Sequence, residues 1–474
     1  MLFSSTVFLF LFLPIVLVIY YGLLKKRTAR NKFLFAVSLI FYAWGEVKFV
    51  LLMVICIVIN YIGGLLIAHY KDRKKLRKWF LAGVVIGNLS LLGWFKYSGF
   101  VVKNINYILR TTLNVPNIVL PIGISFFIFQ GLSYVLDVYM EKAKVQKNLL
   151  NVGLYVAFFP QLVAGPIVRY QTIAEQIDLR EETEAFFAEG VARFVKGLAK
   201  KVLLANQFGL IADKAFSMPA DHIAVGFAWL GAIGYMLQIY YDFSGYSDMA
   251  IGLGKMFGFH FEENFNAPYL AKSVSDFWRR WHISLGTWFR DYVYFPLGGS
   301  RVASKTRLVY NLFIVWFLTG LWHGANWTFI SWGLYFFLLI AIEKLFNLEA
   351  FLKKSKVIGH VYLLLTVLVG WVMFKSESIY YAFDYFKSMM GLNSKILLGG
   401  LGKLYWTENV LIIMIGILGC LPISKWLHSF KWMKENKYTG LRQFSSIVLG
   451  IGLMAIAVSY LVKNSYNPFI YFNF

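Results

Sequence analysis

The chain of 474 residues is 59% hydrophobic and only 15% charged, and it carries a formal net charge of +23 at neutral pH. Globular proteins are roughly one quarter charged, so this composition excludes a water-soluble domain and requires membrane lipid to cover the remaining apolar surface. The excess Lys and Arg residues lie between apolar segments, and no nucleic-acid-binding module presents them. Nucleic acid is therefore excluded as a partner, and a topological role is favoured.

Apolar segments long enough to cross a bilayer recur along the whole chain. A hydrocarbon core of about 30 Å takes roughly 17 to 25 helical residues. In lipid every backbone amide must be paired, and these segments are continuous rather than alternating, so we predict an all-α polytopic membrane protein with about ten or eleven transmembrane helices. The segments are 3–24, 49–68, 79–95, 115–136, 149–168, 223–241, 357–374, 409–424 and 443–462, with room for two spans at 308–342.

Clusters of Lys and Arg predict the orientation, because short basic loops stay in the cytoplasm. One cluster lies at residues 25–32 and a second at 71–78, so the chain must cross the membrane twice between them. Another inner basic loop is expected at 425–442. The N-terminus and the aromatic tail, residues 467–474, should then face outward, with the tail at the level of the lipid headgroups.

We predict one domain over residues 1–474. Its central segment has one good span and otherwise mixes charged, aromatic and glycine-rich pieces, which membranes tolerate only where protein or water covers the backbone. We therefore expect re-entrant helices there, with an amphipathic helix on the cytoplasmic face between residues 181 and 213. The parts are N-terminal spans, the central segment, a histidine tract, and C-terminal spans with an outward-facing tail, at 1–168, 169–307, 308–346 and 347–474.

One of the seven histidines, His323, lies in the middle of a long uncharged tract with polar neighbours. An ionisable group at membrane depth is costly, so its default interpretation is functional. Burial keeps an imidazole neutral near pH 7, and the neutral ring can take a proton from a hydroxyl as a general base. Gly320 and Gly324 would allow close approach, and Asn326 could fix the ring tautomer or donate to an oxyanion. A helix-packing histidine bonded to a carbonyl is the alternative that the sequence leaves open.

A second candidate region is the run 275–292, which is rich in arginine and aromatic residues. Arginine forks bind phosphate and aromatic faces stack on adenine, so the mixture suits a phosphate-rich ligand such as coenzyme A. Arg beside Trp is also ordinary in an interfacial helix, and Asp276 with Arg280 forms an i, i+4 pair. The candidate donor-binding residues are Arg279, Arg280, Trp281 and Arg290, with His282 as a second catalytic candidate.

A third segment, residues 240–248, ends a span with the polar side chains of Asp242 and Ser244. It could line a polar cavity that contacts substrate, or it could cap the next helix, since Ser and Asp are favoured at N-caps. Both cysteines lie in apolar runs, so we predict neither a disulfide framework nor a metal site. The sequence also lacks the nucleophile elbow, the Walker loop and the H-E-x-x-H motif, so the corresponding chemistries have no local support.

Several of these motifs together resemble the signature of the membrane-bound O-acyltransferases, in the branch that acetylates alginate or peptidoglycan. The resemblance implies a ring of helices around a central funnel or tunnel, with His282 and His323 near the tunnel. The motifs that carry it are 276–284 with its continuation at 288–292 and 296–299, then Trp322-His323-Gly324, 242–248, 160–167 and the tail that begins at Asn467.

The resemblance also implies the chemistry. The acyl donor would be cytoplasmic acetyl-coenzyme A (acetyl-CoA), with no tightly bound cofactor, and the acetyl group would pass through the bacterial inner membrane. His323 would activate the acceptor hydroxyl, and His282 would help to position donor or acceptor. The outer acceptor would be an SGNH-hydrolase-like partner, since the chain shows no large outer domain for a polysaccharide. D-alanyl transfer to teichoic acid and a non-enzymatic transporter or flippase of a lipid-linked sugar stay open as alternatives.

Overall fold

The computed structural model describes residues 1–163, 165–355, 357–423, 439–463 and 466–470. All regular secondary structure in these ranges is helical, which confirms the predicted all-α class. Most of the expected inner basic loop, residues 425–438, and the last tail residues, 471–474, lie outside the described residues.

Six helical stretches of the described chain are long and apolar enough to cross a membrane, judged by length and composition. The first of them has 43 residues, about twice what one crossing needs, and it contains two α-helices. A multi-pass membrane architecture is therefore shown, whereas the predicted count of ten or eleven spans is not confirmed. The stretches are Arg27–His69, Lys74–Leu109, Trp327–Leu345, Ile358–Lys375, Gly399–Gly419 and Phe444–Lys463, and two shorter apolar helices are Phe8–Leu23 and Ile124–Tyr139.

Contacts divide the chain into two compact units, of which the first comprises residues 1–194 and 247–263. Reciprocal amide bonds join two of its spans, because Asn60 Nδ2 donates to Asn88 Oδ1 at 3.0 Å and Asn88 Nδ2 donates to Asn60 Oδ1 at 3.2 Å. Its helices are α1 (Leu13–Val18), α2 (Arg27–Glu46), α3 (Val50–His69), α4 (Lys74–Leu92), α5 (Ser98–Leu109), α6 (Ile124–Tyr139), α7 (Leu149–Ala157), α8 (Phe159–Leu162), α9 (Tyr170–Ile173), α10 (Gln176–Leu179) and most of α11 (Glu184–Ala199).

The interval in which an amphipathic helix was expected contains α11. Its buried positions are Gly190, Phe194, Gly197, Leu198 and Ala199, and the residues between them are exposed or half-buried. This spacing buries one stripe of the helix and leaves a mixed face of charged and small apolar residues exposed.

The second unit comprises residues 195–246 and 264–474. Its core is strongly aromatic, with fully buried rings that include Trp332, Trp371 and Tyr385. Its helices are α12 (Asn206–Phe216), α13 (Val225–Met256, whose last residues belong to the first unit), α14 (Val274–Trp278), α15 (Ile283–Phe289), α16 (Lys305–His323), α17 (Trp327–Leu345), α18 (Leu348–Lys354), α19 (Ile358–Lys375), α20 (Ile379–Met389), α21 (Gly399–Gly419) and α22 (Thr439–Lys463).

Helices α16 and α17 form a tightly packed hairpin with His323 at its turn. A Cβ atom on Gly320 would lie 2.5 Å from the backbone oxygen of Phe329, and one on Gly333 would lie 2.5 Å from that of Trp316. Only glycine permits this backbone approach, which fixes the two helices against each other.

The described part of the C-terminal tail packs into the protein, and its place at the headgroup level stays a prediction. Phe469 and Ile470 are buried in the second unit. Nζ of Lys201 lies 2.6 Å from Oδ1 of Asp242, and the backbone N–H of Ile470 donates to Oδ2 of the same carboxylate at 2.9 Å. A buried ion pair needs such additional hydrogen bonds, which explains why the tail enters the protein.

Candidate active site

His282 lies in the turn between α14 and α15, where its backbone adopts φ = 45° and ψ = 51°. This left-handed conformation is uncommon for a residue with a side chain. The turn is fastened to a neighbouring loop, because Ile283 N donates to the Asn264 carbonyl at 3.0 Å and Asn266 N donates to the Arg280 carbonyl at 3.0 Å. Strained residues persist where the surroundings hold them, and they cluster at functional sites.

The side chain of Asn264 sets the tautomer of His282. Oδ1 of Asn264 accepts hydrogen bonds from the backbone N and the Oγ of Ser284, at 3.1 and 2.9 Å, and lies 3.3 Å from Nδ1 of His282. A backbone N–H can only donate, so the amide atom facing it is the oxygen. The imidazole must therefore carry its proton on Nδ1 and its lone pair on Nε2.

Burial lowers the pKa of His282 to about 3, so the ring is neutral at physiological pH. Together with the tautomer, this makes Nε2 a hydrogen-bond acceptor. Asn264 was not predicted from the sequence, and no local motif connects it with a histidine 18 residues away.

His323, the last residue of α16, is held by aromatic packing. Its ring centroid lies 4.9 Å from that of Trp322, 4.9 Å from that of Trp332 and 5.2 Å from that of Phe374, each in an edge-on arrangement. The ring of His282 lies 6.1 Å from Trp322, which is thus a neighbour of both histidines. Both candidate imidazoles thus pack against one indole ring, and their joint role at one site stays a prediction.

Both histidines line a single cavity of about 440 Å³, a size typical of ligand sites. One wall follows α16 from Leu312 to His323, which is about 16 Å of helix. Because α17 runs back along α16, Lys344 lines the cavity at the end far from His323. The cavity thus joins buried imidazoles to a cationic end, an arrangement that can accept an anionic ligand whose reactive group is uncharged.

Three of the predicted donor-binding residues, Arg279, Trp281 and Arg290, line this cavity. Arg279 forms ion pairs with Glu349 and Asp276, the latter at 3.5 Å. Nε of Arg290 pairs with Oδ1 of Asp291 at 2.9 Å. Lys344 was not predicted, although the adjacent charged residues Glu343 and Lys344 at the end of an apolar tract could have drawn attention to it.

The other four candidate site residues for substrate or donor, Arg280, Asp242, Ser244 and Asn326, are not among those that line the cavity. Arg280 pairs with Asp276 at 3.1 Å, and Asp242 forms the ion pair with Lys201. Asn326 caps α17 by accepting from Thr328 N at 3.1 Å. Ser244 is buried. These contacts stabilise the fold, and a role in ligand binding stays a prediction for all four.

Comparison with known proteins adds a family likeness. The family model of the membrane-bound O-acyltransferases, MBOAT, matches residues 89–383, a range that contains both histidines and every predicted site residue. The chain is 44% identical to the probable alginate O-acetylase AlgI of Azotobacter vinelandii over 394 residues, which are 82% of this chain and 78% of the relative.

Two further relatives carry different names. A peptidoglycan O-acetyltransferase of Helicobacter pylori is 33% identical over 528 aligned positions, which cover 100% of this chain and 98% of the relative. A teichoic acid D-alanyltransferase of Bacillus subtilis is 30% identical over 253 residues, which are 51% of this chain and 62% of the relative.

Proposed function

Because this chain belongs to the membrane-bound O-acyltransferase family, we propose that it passes an acetyl group from cytoplasmic acetyl-CoA across the bacterial inner membrane for O-acetylation of an extracytoplasmic polysaccharide. The polysaccharide is alginate-like or peptidoglycan. The relatives named for acetylation align with 82% and 100% of the chain, whereas the D-alanyltransferase aligns with 51%. This difference in coverage favours acetyl as the transferred group.

The cavity shared by the two histidines and the cations is the observation that supports this proposal. In the orientation predicted from the basic loops, the end of the hairpin with Lys344 faces the cytoplasm and the turn after His323 faces outward. Phosphates of the donor would bind at Arg290 and Lys344, because guanidinium and ammonium groups suit phosphate. The thioester would then lie deeper in the cavity, toward the imidazoles.

His323 is proposed to act as the general base. Its neutral ring takes the proton of the acceptor hydroxyl while the hydroxyl oxygen forms a bond to the acetyl carbon. The bond between that carbon and the thioester sulfur breaks, and the sulfur receives the proton from the imidazolium as coenzyme A leaves. Nε2 of His282 positions donor or acceptor by accepting a hydrogen bond.

The proposed outer acceptor is an SGNH-hydrolase-like partner, which would hand the acetyl group to the polymer. The proposed orientation supports an acceptor on this side, because the hairpin turn that follows His323 faces outward. No cofactor takes part in this scheme besides the donor itself.

Purified protein in vesicles tests the proposal. With acetyl-CoA on the cytoplasmic side, we expect consumption of acetyl-CoA and labelling of an outer hydroxyl acceptor, and we expect His323→Ala to reduce the rate about 10³-fold. His222→Ala is the matched control, because His222 is exposed and is not among the residues that line the cavity. Full activity of His323→Ala would remove the general base.

The same assay separates the alternatives. Turnover with a D-alanyl carrier protein and none with acetyl-CoA would assign the chain to teichoic acid D-alanylation. Movement of a lipid-linked sugar without consumption of any thioester would identify a transporter.

A further inference from the structure

We propose that Glu343 is a positioning residue that sets the placement of His282 relative to His323. It would do so by fastening the segment that carries His282 to the hairpin that carries His323. This role rests on the proposed transfer of an acetyl group from acetyl-CoA to a hydroxyl in the cavity of these histidines. The sequence motifs give no role to Glu343.

Glu343 lies near the end of α17 and is 1% exposed. Its Oε1 accepts from the backbone N of Val274 at 2.7 Å, and its Oε2 accepts from that of Ser275 at 2.8 Å. These are the first two residues of α14, where a negative charge is favoured by the free N–H groups and the helix dipole. Hydrogen bonds to a carboxylate are also stronger than neutral ones. An acidic side chain in a membrane span is costly and therefore calls for a function.

Helix α14 has a local cap besides Glu343. Oγ of Ser273 accepts from the backbone N of Asp276 at 3.0 Å, which satisfies the third N–H of the helix, whereas the first two donate to Glu343. Glu343 is 69 residues from Val274 in sequence. The two bonds from the distant carboxylate therefore serve mainly to hold α14 against α17.

Helix α17 contacts the environment of both histidines. Toward its beginning, Trp332 lies 4.9 Å from the ring of His323. Toward its end, about 16 Å further along the helix, Glu343 holds α14. The chain leaves α14 at Trp278 and reaches His282 four residues later. A shift of α14 along α17 would thus move His282 in the cavity while His323 stays in place.

Aromatic packing alone leaves such a shift possible. Trp278 of α14 contacts Trp316 and Phe336 of the hairpin at centroid distances of 5.0 Å. Ring contacts of this kind are weakly directional, whereas two parallel hydrogen bonds to one carboxylate fix both distance and register. Glu343 therefore supplies the directional contact that holds α14, and with it the segment leading to His282, at one position along α17.

The first test is Glu343→Gln, which keeps the volume of the side chain but offers one oxygen in place of two. We expect kcat for acetyl transfer to fall about 10-fold to 100-fold, since displacement of a reacting group by about 1 Å costs this much. The KM for acetyl-CoA should change less than about 3-fold, because the cations of the cavity are untouched. Ser273→Ala is the matched control. It weakens the same helix end without releasing α14 from α17, so its kcat should stay within about 3-fold of wild type.

A double variant tests whether Glu343 acts through His282. In a His282→Ala background, we expect Glu343→Gln to cause no further loss of kcat beyond about 2-fold, because residues that act as a unit are not additive. A full additional loss would overturn the proposal, and so would an unchanged kcat of Glu343→Gln in the wild-type background.

Val274→Pro removes one of the two bonds from the other side and keeps Glu343 intact. Proline suits the first position of a helix, and Ser273, with φ = −144° and ψ = 159°, has the extended backbone that a residue before proline needs. We expect a smaller loss of kcat than for Glu343→Gln, again absent in the His282→Ala background.

If wild type does not transfer acetyl groups, the proposed function fails. If wild type is active and both variants match it, only the role of Glu343 fails.

Discussion

The two histidines line one cavity, yet the structure holds their rings in different ways. His323 is surrounded by aromatic rings, and its helix is fixed by glycine packing within a hairpin. His282 lies in a strained turn, and its orientation depends on hydrogen bonds that Asn264 accepts and, through α14, on those that Glu343 accepts. Packing fixes position without selecting a tautomer, whereas hydrogen bonds fix both. The region of His323 should therefore be sensitive to volume and that of His282 to the loss of single acceptors.

The largest effect is expected from Gly320→Ala, which overpacks the hairpin that holds His323. The new Cβ would lie 2.5 Å from a backbone oxygen, which cannot move aside as a flexible side chain can. We expect a loss of stability of about 3 kcal/mol, at the upper end for overpacking, with little folded or active protein recovered. Thermal unfolding in detergent measures it.

Gly83→Ala in α4 is the control for that experiment, because no atom lies within 4 Å of the added Cβ. This variant should unfold at or slightly above the wild-type temperature, since alanine is the better helix former. A Gly320→Ala protein as stable as Gly83→Ala would show that the two helices of the hairpin leave room for a Cβ at residue 320.

Asn264→Ala removes the hydrogen-bond acceptor of His282, and we expect it to lower kcat by about 10-fold to 100-fold. Without the amide oxygen, the proton of His282 is no longer confined to Nδ1, and the ring can present the wrong nitrogen. Steady-state kinetics with acetyl-CoA measure the change. Ser284→Ala is the control, because it removes one donor to Asn264 and the 3.5 Å contact of Ser284 Oγ with Nδ1 of His282 but leaves the contact between Asn264 and His282. If both variants lost kcat equally, the effect would belong to the loop and not to the tautomer.

The same contrast explains what the sequence could predict. His323 was found because a lone ionisable residue in an apolar tract is visible locally. Asn264 could not be found in this way, since its partner is 18 residues away and no periodicity connects them. Glu343 is visible as a charged residue at the end of an apolar tract, but its partner Val274, 69 residues away, is not. Asp242 illustrates the same limit, because the sequence suggested a cavity or a helix cap and the structure gives an ion pair with Lys201.

The number of spans was harder to predict for a related reason. An apolar run can face lipid or can be covered by protein, and composition does not distinguish the two. The predicted span at 149–168 is divided into α7 and the short α8, and nearly all of its described residues are buried inside the first unit. The run at 115–136 becomes helical only from Ile124, and its helix is buried almost all round.

A third experiment distinguishes donor binding at the cationic end of the cavity from the chemistry at the histidines. Lys344→Ala should raise the KM for acetyl-CoA by about 10-fold to 100-fold and leave kcat unchanged, because a hydrogen bond to a charged group contributes about 1.5 to 3 kcal/mol. The effect should shrink at high salt. Lys353→Ala is the control, since Lys353 pairs with Glu349 and is not among the cavity-lining residues. A loss of kcat without a change in KM would move Lys344 out of the donor site.

The smallest effect is expected for Arg279→Ala, although Arg279 also lines the cavity and belongs to the most recognisable motif. Its guanidinium is already paired with Glu349 and Asp276, and its side chain is 54% exposed. Exposed ion pairs contribute about 0 to 1 kcal/mol, so the KM for acetyl-CoA should rise less than about 3-fold. Glu349→Gln should have the opposite effect. It frees Arg279 for the donor and should lower the KM for acetyl-CoA. If Arg279→Ala instead raised the KM for acetyl-CoA as much as Lys344→Ala, the ion pairs of Arg279 would have to open when the donor binds. Arg279 would then be a ligand of the donor rather than a structural residue.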